Sequence, residues 1–331
     1  MNRREADWRL GPVVYQVMVD RFVPPKDLEA RRHLYPSPRR LRPWNKLPRK
    51  GRYLPEEKVW SHELDFWGGD LRGLRARGLD HLVDLGADVL YLNPIHDALT
   101  NHKYDARDYC AVAPEYGDRE ELRALCEASH QRGLKLVLDG VFNHMGRRAR
   151  WFQEAMADEA SRRRDWFFIG PEHRGGVRRW ADVDNLPALR LEHPAVQARI
   201  WGDADSVIRD YLRDGVDGWR LDVAFDIGPA MLAAITAAAH EQRPGSLVLG
   251  EIWNYPEQWF PAVDGVLNFF ARQLILHLVQ GRVGGAQAGR LLSRMIDDAG
   301  LEPVARSWLF LDNHDTARLQ TVLRAAWQRR M

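Results

Sequence analysis

Residues 247–251 read Leu-Val-Leu-Gly-Glu, a short and almost wholly apolar run that stops on an acid. A parallel strand covered on both faces reads as such an unbroken apolar stretch, whereas a half-solvated strand alternates. Three more runs have the same shape: Leu134 to Asp139, Trp219 to Asp222, and Trp308 to Asp315. One carboxylate at a strand end means little. Four in one chain imply a parallel barrel whose strand ends converge on an acidic pocket, and such a pocket points to glycoside chemistry.

Outward from these runs, apolar β-branched stretches alternate with longer amphipathic ones, the habit of βα units around a parallel sheet. The predicted strands are Val13–Val19, Val89–Ile95, Leu134–Val141, Val216–Val223, Leu247–Ile252, Val266–Phe269 and Trp308–Leu311. Predicted helices cover Leu71–Leu85, Glu120–Arg132, His193–Arg213, Pro229–Glu241, Ala286–Ala299 and Thr316–Gln328. The fold class is therefore α/β, a (β/α)8 TIM-type barrel. Residues 1–144 form its first part, with a long connection over 23–66. A loop domain over 145–192 follows the third strand, and residues 193–331 return to the barrel. Long connections placed after strands would wall a cleft on the face where barrel enzymes keep their sites.

Composition excludes several classes. At 331 residues and 45% hydrophobic the chain can bury a large core, while no apolar run is long enough to span a bilayer. Residues 1–7 carry charge without an apolar stretch behind them, so no secretory signal is read and a cytoplasmic location is expected. Cys110 and Cys126 make neither a disulfide framework nor a zinc site and are read as packing residues. A net charge of +2 argues against nucleic acid as a partner. The Arg- and Lys-rich run over 31–52 is most simply a solvated loop. Phosphate-binding, dinucleotide-binding and serine-hydrolase fingerprints are all missing. Thirteen tryptophans suit either core filling or flat contact with sugar rings, and Trp44, Trp60, Trp67 and Trp253 are open to both readings.

The chemistry rests on the strand ends. Side chains two apart on a strand share a face, so Arg220 and Asp222 point together into the barrel mouth while Trp219 and Leu221 face the helices. A guanidinium beside Asp222 favours its ionised form, as a nucleophile at an acetal carbon requires, although a structural ion pair reads the same way. Glu251 sits among apolar residues, where desolvation favours the protonated form that gives a proton to a leaving oxygen. A glutamate at a strand end also serves as a helix cap or salt-bridge partner. Glycosidases divide the work between one ionised and one protonated carboxyl group, about 5 Å apart in retaining enzymes. The segments Asp139-Gly140-Val141-Phe142-Asn143-His144 and Leu311-Asp312-Asn313-His314-Asp315 add amide, imidazole and carboxylate groups fit to grip sugar hydroxyls, though such histidines are commonly just hydrogen-bonded in place. Neither matches a structural zinc spacing.

These segments together resemble the α-amylase superfamily of glycoside hydrolases, of the family 13 type. Its four motifs stand in order at Asp139–His144, Gly218–Asp226, Gly250–Trp253 and Phe310–Asp315. The resemblance implies Asp222 as nucleophile, Glu251 as general acid/base and Asp315 as the carboxylate that fixes the distorted sugar. It also implies that Arg220, His144 and His314 hold the glucosyl unit. Val14-Tyr15-Gln16, Asp20-Arg21-Phe22, Trp67-Gly68-Gly69-Asp70-Leu71, Asn101-His102-Lys103-Tyr104-Asp105 and Asn185-Leu186-Pro187-Ala188-Leu189 resemble the neopullulanase, cyclomaltodextrinase and maltogenic amylase branch. There Tyr104 would stack on the sugar with Asp105 beside it, and Trp253 joins the expected substrate-binding set.

Three departures accompany the likeness. Phe225 and Asp226 stand where that branch usually has Asn-Glu, which leaves subsite preference open. The branch's N-terminal β-domain is not recognised, so no dimer is implied and the oligomeric state stays unassigned. No eighth strand follows the Asn-His-Asp motif, and the expectation is a barrel truncated after its seventh strand, without a C-terminal β-domain. The expected activity is retaining hydrolysis of α-1,4-linked glucans, maltooligosaccharides or cyclodextrins; transglycosylation, isomerisation or an inactive relative are the alternatives. No cofactor is required. Calcium is the one metal the resemblance leaves open, with Asn143 as candidate ligand.

Overall fold

A computed structural model describes residues 7–328. The chain divides into two compact units, one made of Val13–Asp222 with Ala237–Ser246, the other of Val223–Thr236 with the segment from Leu247 onward and the N-terminal stretch to Pro12.

In the larger unit, β1 (Val14–Val17), β2 (Val89–Leu92), β3 (Lys135–Gly140) and β4 (Gly218–Leu221) pair in parallel in that order. Every residue of β2 and β4 is buried, which explains the unbroken apolar reading. The crossovers carry helices. α1 runs through Leu71–Gly73, Leu74–Gly78 and Leu79–Asp84, and Asp70 caps it by accepting the Gly73 N–H at 2.6 Å. Asp118 caps α2 (Arg119–His130) in the same way, from the Glu121 N–H at 2.9 Å. The helix predicted over His193–Arg213 is broken. Pieces at Pro194–Gln197 and Ala198–Gly202 are followed by α3 (Val207–Arg213), because Gly202, Asp203 and Ser206 favour local turns over helix.

The segment after β3 has more structure than its weak periodicity suggested. It holds a helix at Arg150–Ala157 and antiparallel bridges Phe167↔Leu189, Ile169↔Val177 and Arg179↔Pro187, and His144↔Ala188 ties it to the end of β3. The basic run over 31–52 is the solvated loop expected only in its second half. Arg31 pairs with Asp70, Arg40 and Arg42 with Asp65 at 2.8 Å, and Arg39 lies buried against Glu115 at 3.2 Å. Of its cations, Arg39 is the one drawn fully into the fold, while residues 45–50 lie exposed. Cys126 is buried and Cys110 partly so, both as free thiols.

In the smaller unit, β5 (Leu247–Ile252) and β6 (Gly265–Asn268) pair in parallel, with Glu251 opposite Leu267. Between β4 and β5 in the chain come α4 (Ala224–Ile227) and α5 (Pro229–Gln242). α6 (Phe269–Val279) follows β6 directly, a helix the sequence reading left out. The predicted strand at Trp308–Leu311 shrinks to one parallel bridge between Leu267 and Trp308, and Leu309 is more than half exposed. Backbone has to stay beside a partner to be a strand, and this segment leaves β6 after one residue. Gly265 permits the close approach that precedes it, since a Cβ there would lie 2.8 Å from the Arg306 carbonyl.

Candidate active site

Arg220 and Asp139 are register neighbours on β4 and β3, so both side chains leave the same face. The Arg220 Nη1 lies 2.7 Å from Asp139 Oδ1 and 3.0 Å from Asp222 Oδ1. Arg220 is fully buried, as is the Asp139 side chain, and Asp222 is nearly so. Removing three charges from water is tolerable only when they satisfy one another. Tyr91 and Tyr104 complete the shell by donating to Asp139 Oδ2 at 2.6 and 2.8 Å, and Asn93 donates to the Tyr104 hydroxyl at 3.3 Å. Burial and the Asp139 carboxylate push the Tyr104 phenol well above its ordinary pKa, so it remains a donor. Trp219, one residue along β4, turns the other way and packs against Tyr211 of α3 and Phe142. The strand faces expected from the alternation are those observed.

Asp105 is held one step away. Its Oδ2 accepts from Asn185 Nδ2 at 3.0 Å, and its Oδ1 accepts from the Thr100 hydroxyl and, at 3.2 Å, the Thr100 N–H. The loop that presents Tyr104 and Asp105 is pinned by Lys103, a fully buried cation 2.5 Å from Glu115. Burial alone would raise Glu115, but Lys103 and Arg39 bring its pKa below the usual carboxylate range. His144 is buried and stacks on Trp180 with ring centres 5.5 Å apart; burial lowers its pKa to about 3, leaving a neutral ring with one donor and one acceptor.

The Asp20 and Trp67-Gly68-Gly69 segments, far apart in sequence, form a clamp. Buried Asp20 accepts from the N–H groups of Trp67 and Gly68 at 3.0 Å, and Arg21 lies over the Trp67 ring at 4.3 Å. Burial pushes Asp20 up to about 6, against the pull of those N–H groups. Gly69 has to be glycine, because a Cβ would sit 2.2 Å from the Val19 carbonyl oxygen. The clamp closes the long 23–66 connection at its root.

In the smaller unit, Glu251 is 4% exposed at the end of β5. Its Oε2 accepts the Val223 main-chain N–H at 2.9 Å, and its Oε1 accepts the Trp253 indole N–H at 3.1 Å. Trp253 is 57% exposed on one side and stacks on Phe269 on the other, with centroids 3.9 Å apart. His314 and Asp315 lie exposed and paired with each other at 3.2 Å. The structure thus joins Tyr104 to Arg220 through Asp139 and Arg220 in turn to Asp222, joins Glu251 to Trp253, and pairs His314 with Asp315.

Asn143 turns its amide to His144 Nδ1 at 3.4 Å. Among the described residues no three His, Cys, Asp or Glu side chains gather as a metal-holding group. Two groups were missed from sequence. Tyr91 carried a signal, as the one polar tip in the apolar run Val89-Leu90-Tyr91-Leu92; the Val223 N–H carried none, because its direction depends on backbone conformation. Asp139, read as a grip for hydroxyls, is instead occupied by Arg220 and two tyrosines.

The profile of the family described as Alpha amylase, catalytic domain, matches residues 49–331. The chain belongs to the α-amylase family. Among family relatives, the intracellular maltogenic amylase of Bacillus subtilis (strain 168) is 32% identical over 336 residues, covering 95% of this chain and 51% of its own length. Neopullulanase 2 of Thermoactinomyces vulgaris is 32% identical over 327 residues, covering 95% and 52%. Among solved structures, the cyclic alpha-maltosyl-(1→6)-maltose hydrolase from Arthrobacter globiformis superposes with a TM-score of 0.83 at 29% identity, covering 96% of this chain and 69% of that one. The chain spans about half the length of the curated relatives it matches. The parallel strands of both units fit the TIM-type fold of this family, and among the described residues no helix is long and apolar enough to cross a membrane.

Proposed function

We propose that this chain carries the catalytic machinery of a retaining α-glucoside hydrolase acting on α-1,4-linked glucans, maltooligosaccharides or cyclodextrins in the cytoplasm. The observation that carries the reading is the buried Arg220, which keeps a charged partner 3.0 Å from Asp222. A carboxylate so held is ready to act as a nucleophile, and the family relatives named for action on maltose polymers point to the substrate class.

An Asp222 oxygen attacks the anomeric carbon as the bond to the leaving oxygen breaks, and the Glu251 carboxyl gives its proton to that oxygen. This leaves a glycosyl ester on Asp222 and a carboxylate on Glu251. Water then loses a proton to Glu251 while its oxygen attacks the same carbon, the ester bond breaks, and Asp222 regains its charge. Two inversions leave an α product. Tyr104 supplies a ring face, neutral His144, Arg220 and His314 bind the glucosyl unit, and Asp315 fixes its distorted form; these roles follow the family. A sugar hydroxyl in place of water gives transglycosylation, which the exposed Trp253 ring beside Glu251 favours by offering an acceptor a face to rest on.

The test is incubation with maltotriose, β-cyclodextrin and pullulan, with the new reducing end followed by proton NMR before mutarotation. The α anomer is expected; a β anomer would remove Asp222 from the nucleophile's role.

A further inference from the structure

Both oxygens of Glu251 receive N–H donors, and neither donor is an ordinary one. Val223 supplies its main-chain N–H from φ 41° and ψ 44°, the left-handed region, where a β-branched residue is an outlier. Such a conformation is strained and persists only where its surroundings impose it. Here the Val223 carbonyl accepts the Asp226 N–H at 2.9 Å as α4 begins, which holds the turn in place. Trp253 supplies its indole N–H while its ring stacks on Phe269, itself edge-on to Phe310 at 4.8 Å. Both donors are therefore fixed before any substrate arrives.

Resting on the assignment of Glu251 as acid/base, we propose that Val223 and Trp253 are positioning residues that form a two-donor cradle for its carboxylate. When the proton passes to the leaving oxygen, charge develops on Glu251, and two N–H groups already aimed at its oxygens stabilise that charge with no reorganisation. The same groups hold the carboxylate while it accepts the proton of water. The cradle has no bearing on leaving groups that depart without a proton. Its contribution therefore grows with the basicity of the leaving oxygen.

The experiment measures kcat/KM, which reports steps up to formation of the glycosyl ester, for aryl α-maltosides from 2,4-dinitrophenyl to phenyl. Trp253 is replaced by β-(3-benzothienyl)alanine, which keeps the ring shape and stacking but puts sulfur where the N–H was; Trp253→Phe is the second variant. A hydrogen bond to a charged group is worth about 1.5–3 kcal/mol, so a loss of about 10- to 100-fold is expected for the phenyl substrate. Loss is expected to shrink toward none for dinitrophenyl, giving a steeper dependence on phenol basicity than wild type. Parallel lines, whether from an equal loss on every substrate or from no loss, would overturn the cradle. Glu251→Gln on the same series separates the two claims. If it too gives a line parallel to wild type, the acid/base assignment fails; if it steepens while the Trp253 variants stay parallel, only the cradle fails.

Discussion

Asp222 and Glu251 close two strands of similar make, yet the larger unit sets a cation against its carboxylate while the smaller one aims two neutral N–H groups at its own. Asp222 shares the buried Arg220 with Asp139, whereas Glu251 receives a main-chain amide and an indole. A fixed cation suits a group that must stay ionised until it bonds to carbon. Neutral N–H donors stabilise the carboxylate left behind once a proton has gone, and do so more weakly than a full cation. The two strand ends thus differ in the charge of the donors aimed at the carboxylate.

The harshest way to break the comparison is Arg220→Met, which leaves Asp139 and Asp222 buried without their cation. Removing one partner of a buried pair costs about 3–5 kcal/mol, so a large drop in unfolding free energy by urea titration is expected, together with lost turnover. A change within about 0.5 kcal/mol would mean that the network is not held by that charge.

A smaller effect sharpens the same rule on the far side of β4. Trp219 stacks near His96, which Tyr109 and Tyr211 meet edge-on, and among the described residues neither His96 ring nitrogen has a hydrogen-bond partner. Burial, helped by the nearby Arg119 charge, lowers its pKa to about 3. His96 is therefore neutral when folded and titrates normally, near pH 6.5, when unfolded. Its contribution to stability is present above that pH and is lost as pH falls toward 3. His96→Phe removes an unsatisfied polar group and is expected to stabilise the fold by about 1–3 kcal/mol at neutral pH. Below pH 6.5 the variant's advantage is expected to widen by about 1 kcal/mol per pH unit, measured by denaturant titration across pH 7 to 5. Parallel curves would show that the ring finds a partner.

Much of this was legible in the chain. Leu247–Ile252 forms a strand over the predicted bounds because both its faces are covered, and Arg220 and Asp222 share a face because strands alternate. Trp308–Leu311 looked alike in composition but gains only a single bridge, since pairing is a property of the neighbour and not of the run. α6 was hidden because Phe269–Val279 is apolar nearly all round; its one local sign was Asn268, whose side chain accepts the Ala271 N–H at 2.9 Å. The tryptophans that left two readings open divide between them: Trp67 is buried, while Trp60 and Trp253 are exposed. The Asp139 hub and the cradle of Glu251 could not be read, because each depends on contacts among residues far apart in sequence and on a left-handed valine that no pattern announces.

The assignment of distinct tasks to the two carboxylates is tested most directly by intact-mass and peptide mass spectrometry of Glu251→Gln after exposure to α-maltosyl fluoride. Fluoride leaves without a proton, and the missing base stalls hydrolysis of the ester. The expected result is a single maltosyl adduct on the peptide containing Asp222. An adduct on another residue, or rapid release of maltose with no adduct at all, would contradict it.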